Sequence, residues 1–141
     1  KQWDDAERHA RAALAIDAHR VAAHAALVTL HAKLGRWDDL DRALGEAEHA
    51  LSDNRQPHYA AARTLVVAKR EPARAEKLLR AYLAVEPEIG APSFGAAHWR
   101  LGLALEQQGR TKEALAEIEL AVKLDPKLDT AKKDLKRLKK E

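Results

Sequence analysis

With 141 residues, 46% of them hydrophobic but only 4% aromatic and 33% charged, the chain has the composition of one domain of closely packed, Ala- and Leu-rich helices. It has no cysteine, which removes disulfides, thiolate nucleophiles and cysteine-based zinc sites, and no run of 18 apolar residues to span a membrane. The net charge of +3 sits at one end: residues 127–141 hold seven Lys/Arg against three carboxylates, the other 126 residues hold 18 against 19, and the body is not a nucleic-acid-binding surface by charge.

Residues 4–16 are a predicted helix within a half unit, 1–18. Asp4 or Asp5 caps it, and Ala6, Ala10, Ala13 and Leu14 form an apolar stripe. No partner helix precedes it, so the stripe is expected to be open. The chain opens inside this half unit and without Met, which predicts an excised or processed piece. A first full unit, 21–54, has helices over 21–34 and 37–51. Gly35 ends the first, Trp37 sits in the turn, and Asp38 and Asp39 favour the start of the second. Ser52-Asp53-Asn54 stops it.

A second unit, 56–89, opens with Pro57 and runs through Tyr59, Ala62, Leu65 and Val66. It turns at Arg70-Glu71-Pro72, continues through Ala75, Leu78, Leu79 and Leu83, and stops at Glu86-Pro87. The connection 89–94 carries Gly90, Pro92 and the apolar pair Ile89 and Phe94. It is expected either to pack over the edge of the stack or to border a ligand groove. The third unit, 95–128, is two amphipathic helices broken by Gln108-Gly109-Arg110 and closed by Asp125-Pro126. Residues 129–141 then form a charged helix with Ala131, Leu135 and Leu138 at helical spacing, the pattern of a terminal cap.

The spacing inside and between these units carries a resemblance. His98-x2-Leu101-Gly102-x2-Leu105, then Ala114-x3-Ile118, then Pro126 follow the pattern W-x2-L-G-x2-Y, A-x3-F, P. Trp3-Asp4-Asp5 recurs 34 residues on as Trp37-Asp38-Asp39. Leu40, Ala75 and Ala114 share one frame at spacings of 35 and 39, and Pro87 and Pro126 also stand 39 apart, which makes insertions of one and of five residues. The chain resembles the tetratricopeptide repeat family over nearly its whole length.

That resemblance implies an all-α, right-handed superhelix of helix-turn-helix repeats, about eight helices in a single domain. It places Arg63 where the family has a small residue. It also implies that the first helix of each unit lines a concave groove. Candidate partner-binding residues are then Ala25, Ala26, Thr29 and Lys33; Ala60, Ala61, Thr64 and Val67; and Trp99, Arg100, Leu103 and Gln107. Trp99 and Arg100 are the types enriched at binding hot spots. The subfamily that clamps a C-terminal carboxylate has Lys and Asn where Ala25 and Thr29 stand here, and only Arg100 fits, which argues against a two-carboxylate clamp.

Enzyme chemistry finds no support. Ser52 and Ser93 lie in connections outside any G-x-S-x-G elbow, and no glycine-rich phosphate loop occurs. His24 and His31 share a helix face but lie about 10 Å apart along it. Glu46 and His49 form a lone Glu-x-x-His. His24, His31 and His98 are expected to be hydrogen-bonded core or groove residues. No catalytic, metal or cofactor site is expected.

The leading expectation is a non-catalytic scaffold that holds a protein or peptide in the groove. The alternative is self-association through the open N-terminal helix, burying Ala10, Ala13 and Leu14 against a second copy. A weaker one is electrostatic binding through the basic C-terminal helix. That tail lacks an aromatic residue to stack on a base, so no nucleic-acid partner is expected.

Overall fold

The computed structural model describes residues 2–140; Lys1 and Glu141, the outermost residues of the half unit and the cap, lie outside them. Among the described residues there are eight helices and no strand: α1 (Gln2–Ile16), α2 (Val21–Leu34), α3 (Trp37–Leu51), α4 (Gln56–Ala68), α5 (Pro72–Leu83), α6 (Phe94–Gln107), α7 (Thr111–Leu124) and α8 (Asp129–Lys139). They pair as α2–α3, α4–α5 and α6–α7, with α1 in front and α8 behind. No described helix is long and apolar enough to cross a membrane.

Helix ends follow local chemistry. Gly35 ends α2 at φ 69°, a left-handed conformation that only glycine takes without cost, and Arg36 N–H then reaches His31 O at 3.0 Å. Pro57 sits in the first turn of α4, where its missing N–H is not needed. Ser93 caps α6 by accepting from Ala96 N–H at 3.1 Å. The turn between α4 and α5 has no glycine. Lys69 and Glu71 adopt φ 56° and 47° there, a strain of order 1 kcal/mol each.

That turn corrects the register of the second unit. Thirty-four residues separate Leu27 from Ala61, and both are buried, as are Val28 and Ala62 at the same spacing. Thirty-five separate Leu40 from Ala75, both fully buried. The extra residue therefore lies in the Lys69–Glu71 turn, and α4 is displaced by one from its expected frame. The small residue facing the hairpin is Ala62, equivalent to Gly102, while Arg63 is exposed. Ala61, expected in the groove, is fully buried.

One core runs through the stack, with Leu27, Leu40, Leu65, Leu79, Leu101, Leu105 and Ile118 essentially inaccessible. Each such side chain contributes roughly 1.5–3 kcal/mol by burial. The closest helix pair is α6–α7, and two glycines allow it. A Cβ on Gly102 would stand 2.4 Å from Ile118 Cγ1, and one on Gly95 would stand 2.8 Å from Asp125 Cβ. Small residues at both points let the two backbones meet.

Both ends are covered. Ala10 is buried and Leu14 packs on the same cluster, because this stripe of α1 faces α2. The expectation that Ala10 and Leu14 stay open for a second copy is thus corrected, while Ala6 of the same stripe is exposed; the large exposed apolar side chains of α1 are Trp3 and Ile16. At the other end Ala131 and Leu138 of α8 are buried, and Leu135 packs against the core. In the 89–94 connection Phe94 packs inward but Ile89 is fully exposed. Tyr82 OH donates to Pro92 O at 2.5 Å, anchoring the middle of the connection to α5.

The junctions between hairpins are built differently. At the first, α4 lies along α2 but barely meets α3. At the second, α6 lies against α5 and only lightly against α4.

Candidate functional site

The first-helix face of the first junction holds an open depression of about 330 Å³ between α2 and α4. Thr29 and Lys33 line it from α2, and Ala60, Arg63, Thr64, Val67 and Ala68 line it from α4. A second hollow of about 360 Å³ lies between α1 and α2; it shares Thr29 and Lys33 and adds Trp3, Ala25 and Ala26. Small side chains keep the floor low because every third or fourth position on this face of α2 and α4 is Ala or Thr. Thr64 Oγ1 donates to Ala60 O at 2.9 Å, so its hydroxyl is already used. Val67 stands out from the floor, 68% exposed.

Neither hollow has a carboxylate in its lining. Several arginines elsewhere are matched across helices: Arg11 with Glu46 at 2.8 Å, Arg74 with Asp41 at 2.6 Å, Arg137 with Glu106 at 2.5 Å. Lys33 and Arg63 have no ion pair among the described residues.

The first-helix face of the second junction is sealed. Trp99 Nε1 donates to Asp134 of α8 at 2.7 Å. Arg100 lies over the Trp99 ring, its Cζ 4.6 Å from the centroid, and its Nε donates to Tyr59 OH at 3.0 Å. Leu103 packs on the core, and Gln107 Nε2 donates to Val66 O at 3.0 Å. These four side chains, expected to face a ligand, are engaged inside the chain. The residues missed were Arg63, Ala68 and Tyr59. Their signal was the 34-residue spacing from His24 to His58, which puts Arg63 opposite Thr29 and Val67 opposite Lys33.

The histidines divide. The ring of His24 bonds Ala18 O at 2.8 Å, and that of His98 bonds Glu117 at 2.6 Å. His31 departs from expectation: it is 1% exposed with neither ring nitrogen hydrogen-bonded, and Glu7 Oε2 is 4.0 Å away. His58 is buried with one nitrogen bonded to Glu48 at 2.7 Å and Nδ1 unpartnered. Burial lowers the pKa of both His31 and His58, against the pull of Glu7 and Glu48 respectively. Among the described residues no three potential ligands come together to hold a metal ion.

Comparison with known proteins agrees with this architecture. A family model for the tetratricopeptide repeat matches residues 59–129. The chain is similar in structure to the crystal structure of MamA, with a TM-score of 0.70 and 18% identity over 96% of this chain and 76% of that one. It is also similar to the TPR domain of Arabidopsis OM64, with a TM-score of 0.63 and 24% identity over 84% of this chain and 93% of that one. No curated protein matches the chain. The helices thus form an all-α superhelix of tetratricopeptide type.

Proposed function

The chain belongs to the tetratricopeptide repeat family, and from that premise we propose that it holds an extended segment of a partner protein in the depression between α2 and α4. Membership makes it a protein–protein interaction module, in a family whose members are typically non-catalytic scaffolds. The observation that carries the finer reading is the unmatched charge of Lys33 and Arg63 around a small-residue floor. A segment that brings carboxylates to these two cations and one apolar side chain to Val67 satisfies every group the depression leaves open. Thr29 and Lys33 belong to both hollows, so the bound segment continues toward Ala25, Ala26 and Trp3. Trp99 and Arg100 support the site from behind, through Tyr59 and α8, and do not touch the segment.

Selection from a random peptide display library tests the reading. Peptides enriched in Asp and Glu around an apolar residue are expected, with recovery lost on an Arg63→Glu bait. A charge-neutral selection, or one that Arg63→Glu leaves unchanged, rejects the depression as the site.

A further inference from the structure

A concavity larger than either of these hollows lies on the other face, where the second helices stand. Because α3 barely meets α4, a cleft of about 670 Å³ opens between α3 and α5. Leu44 and Gly45 line it from α3, Lys77, Leu78 and Ala81 from α5, and His58 from α4. We propose that this cleft receives α7 of a second copy of the chain, so that the second-helix face is a self-association surface.

Gly45 points to a helix as the occupant. A glycine inside a helix costs about 1 kcal/mol relative to alanine, and the other two helical glycines, Gly95 and Gly102, each make room for a neighbouring helix. Gly45 is also mid-helix, yet a Cβ there would meet nothing within 4 Å. It has the same signature without the neighbour. The floor agrees: His58 is 2% exposed, and its Nδ1 has no partner within the chain.

The chain itself carries a helix of matching shape. At the outward positions of the second helices stand Arg42, Glu46 and Ala50 in α3, and Lys77, Ala81 and Val85 on α5 and just after it. In α7 they are Ala116, Leu120 and Leu124. Only α7 presents leucines there, and they are 37% and 51% exposed. The ridge from Ala116 to Leu124 is about 12 Å long, and the walls from Asp41 to Glu48 and from Ala73 to Ala81 run about 11 and 12 Å. One opposite-charge pair is also available, although the cleft lining carries both signs, with Asp41, Glu48 and Glu71 beside Arg74 and Lys77. Lys77 on the cleft wall has no ion pair among the described residues, and neither does Glu119 beside the ridge.

Cleft and ridge are different patches, so the contact is heterologous and each bound copy offers a free cleft or a free ridge to the next. Light scattering after size exclusion, from about 5 to 500 μM, reads contacts of micromolar to sub-millimolar strength. The wild type is expected to grow in mass with concentration. Gly45→Gln, whose Cβ meets nothing within 4 Å and whose side chain occupies cleft space, and the doubly substituted Leu120→Glu/Leu124→Glu, which charges the ridge, are each expected to stay at 15.6 kDa with unchanged helicity. Mixed one to one they are expected to regain a dimer, because one variant keeps its ridge and the other its cleft. A wild type that stays monomeric overturns the proposal, as does association that survives either variant or a mixture that stays monomeric. The concave reading is untouched by any of these results.

Discussion

The two inter-hairpin junctions use the same repeat and end in opposite states. At the first, α4 packs along α2 and stands off α3, which leaves a small depression with two cations on one face and a larger cleft on the other. At the second, long polar side chains close both faces. On the first-helix side Arg100 and Gln107 reach Tyr59 and Val66. On the second-helix side Glu76 accepts from Gln108 at 3.0 Å, Arg110 at 2.7 Å and Arg80 at 3.0 Å. Burial works against ionisation of Glu76, but these donors hold its carboxyl below the usual range. A repeat stack is therefore not uniform along its length. The first junction is bridged too, by Arg74 to Asp41 at 2.6 Å and His58 to Glu48 at 2.7 Å, but its concavities stay open beside these contacts.

The largest effect that sharpens this contrast is at the tight hairpin behind the sealed junction. Gly102→Val is expected to cost about 3 kcal/mol in a urea titration, because its Cβ would fall 2.4 Å from Ile118 Cγ1 and 3.1 Å from the Ala114 carbonyl. Next comes the bridge itself. Glu76→Ala removes the acceptor that ties Gln108 and Arg110 to α5, while Gln108 keeps Ala104 O and Arg110 keeps Glu113, and is expected to cost about 1–1.5 kcal/mol. Asp41→Ala breaks only the exposed pair with Arg74 at the open junction and should cost under about 1 kcal/mol.

Acid separates the junctions too. His31 and His58 have folded pKa values below the ordinary value of about 6.5, so the unfolded chain binds protons first. Their contribution is complete above that value and is lost as pH falls through it. Glu76 and Glu106 are also lowered, Glu106 by its bonds from Arg137, and their contribution is lost only below about 4.5. Hydrogen exchange, expressed as protection relative to the intrinsic amide rate at each pH, is expected to show α2, α3 and α4 less protected at pH 5.5 than at pH 7.5 while α5–α7 change little. Equal loss across the chain would contradict the division. The smallest effect has the opposite sign: Gly45→Ala, facing open space, is expected to add about 0.5–1 kcal/mol.

Much of this could be read from residues alone, and the failures have a common cause. Helix ends were legible where a special residue marks them, as at Gly35 and Pro57. The cap was legible because Ala131, Leu135 and Leu138 share one face of an otherwise charged helix. The register of α4 was not, since Lys69 and Glu71 take left-handed conformations that their residue types do not announce. One displaced position moved Ala61 into the core and Arg63 into the depression. A further contact was not legible for a different reason: the bond from the Trp99 indole to Asp134 of α8 spans 35 residues, beyond any local spacing. The cleft depends on how α3 and α4 tilt apart, which no spacing encodes.

The most direct measurement is fluorescence anisotropy of one library-selected acidic peptide against wild type, Arg63→Glu and Trp99→Ala. The open first junction predicts at least tenfold weaker binding for Arg63→Glu at low salt, and wild-type binding that weakens as salt rises, so that the difference narrows. Trp99→Ala should bind within about twofold of wild type and be less stable, since its indole serves α8. Weakening by Trp99→Ala alone, with Arg63→Glu unchanged, would place the segment at the second junction and contradict the account.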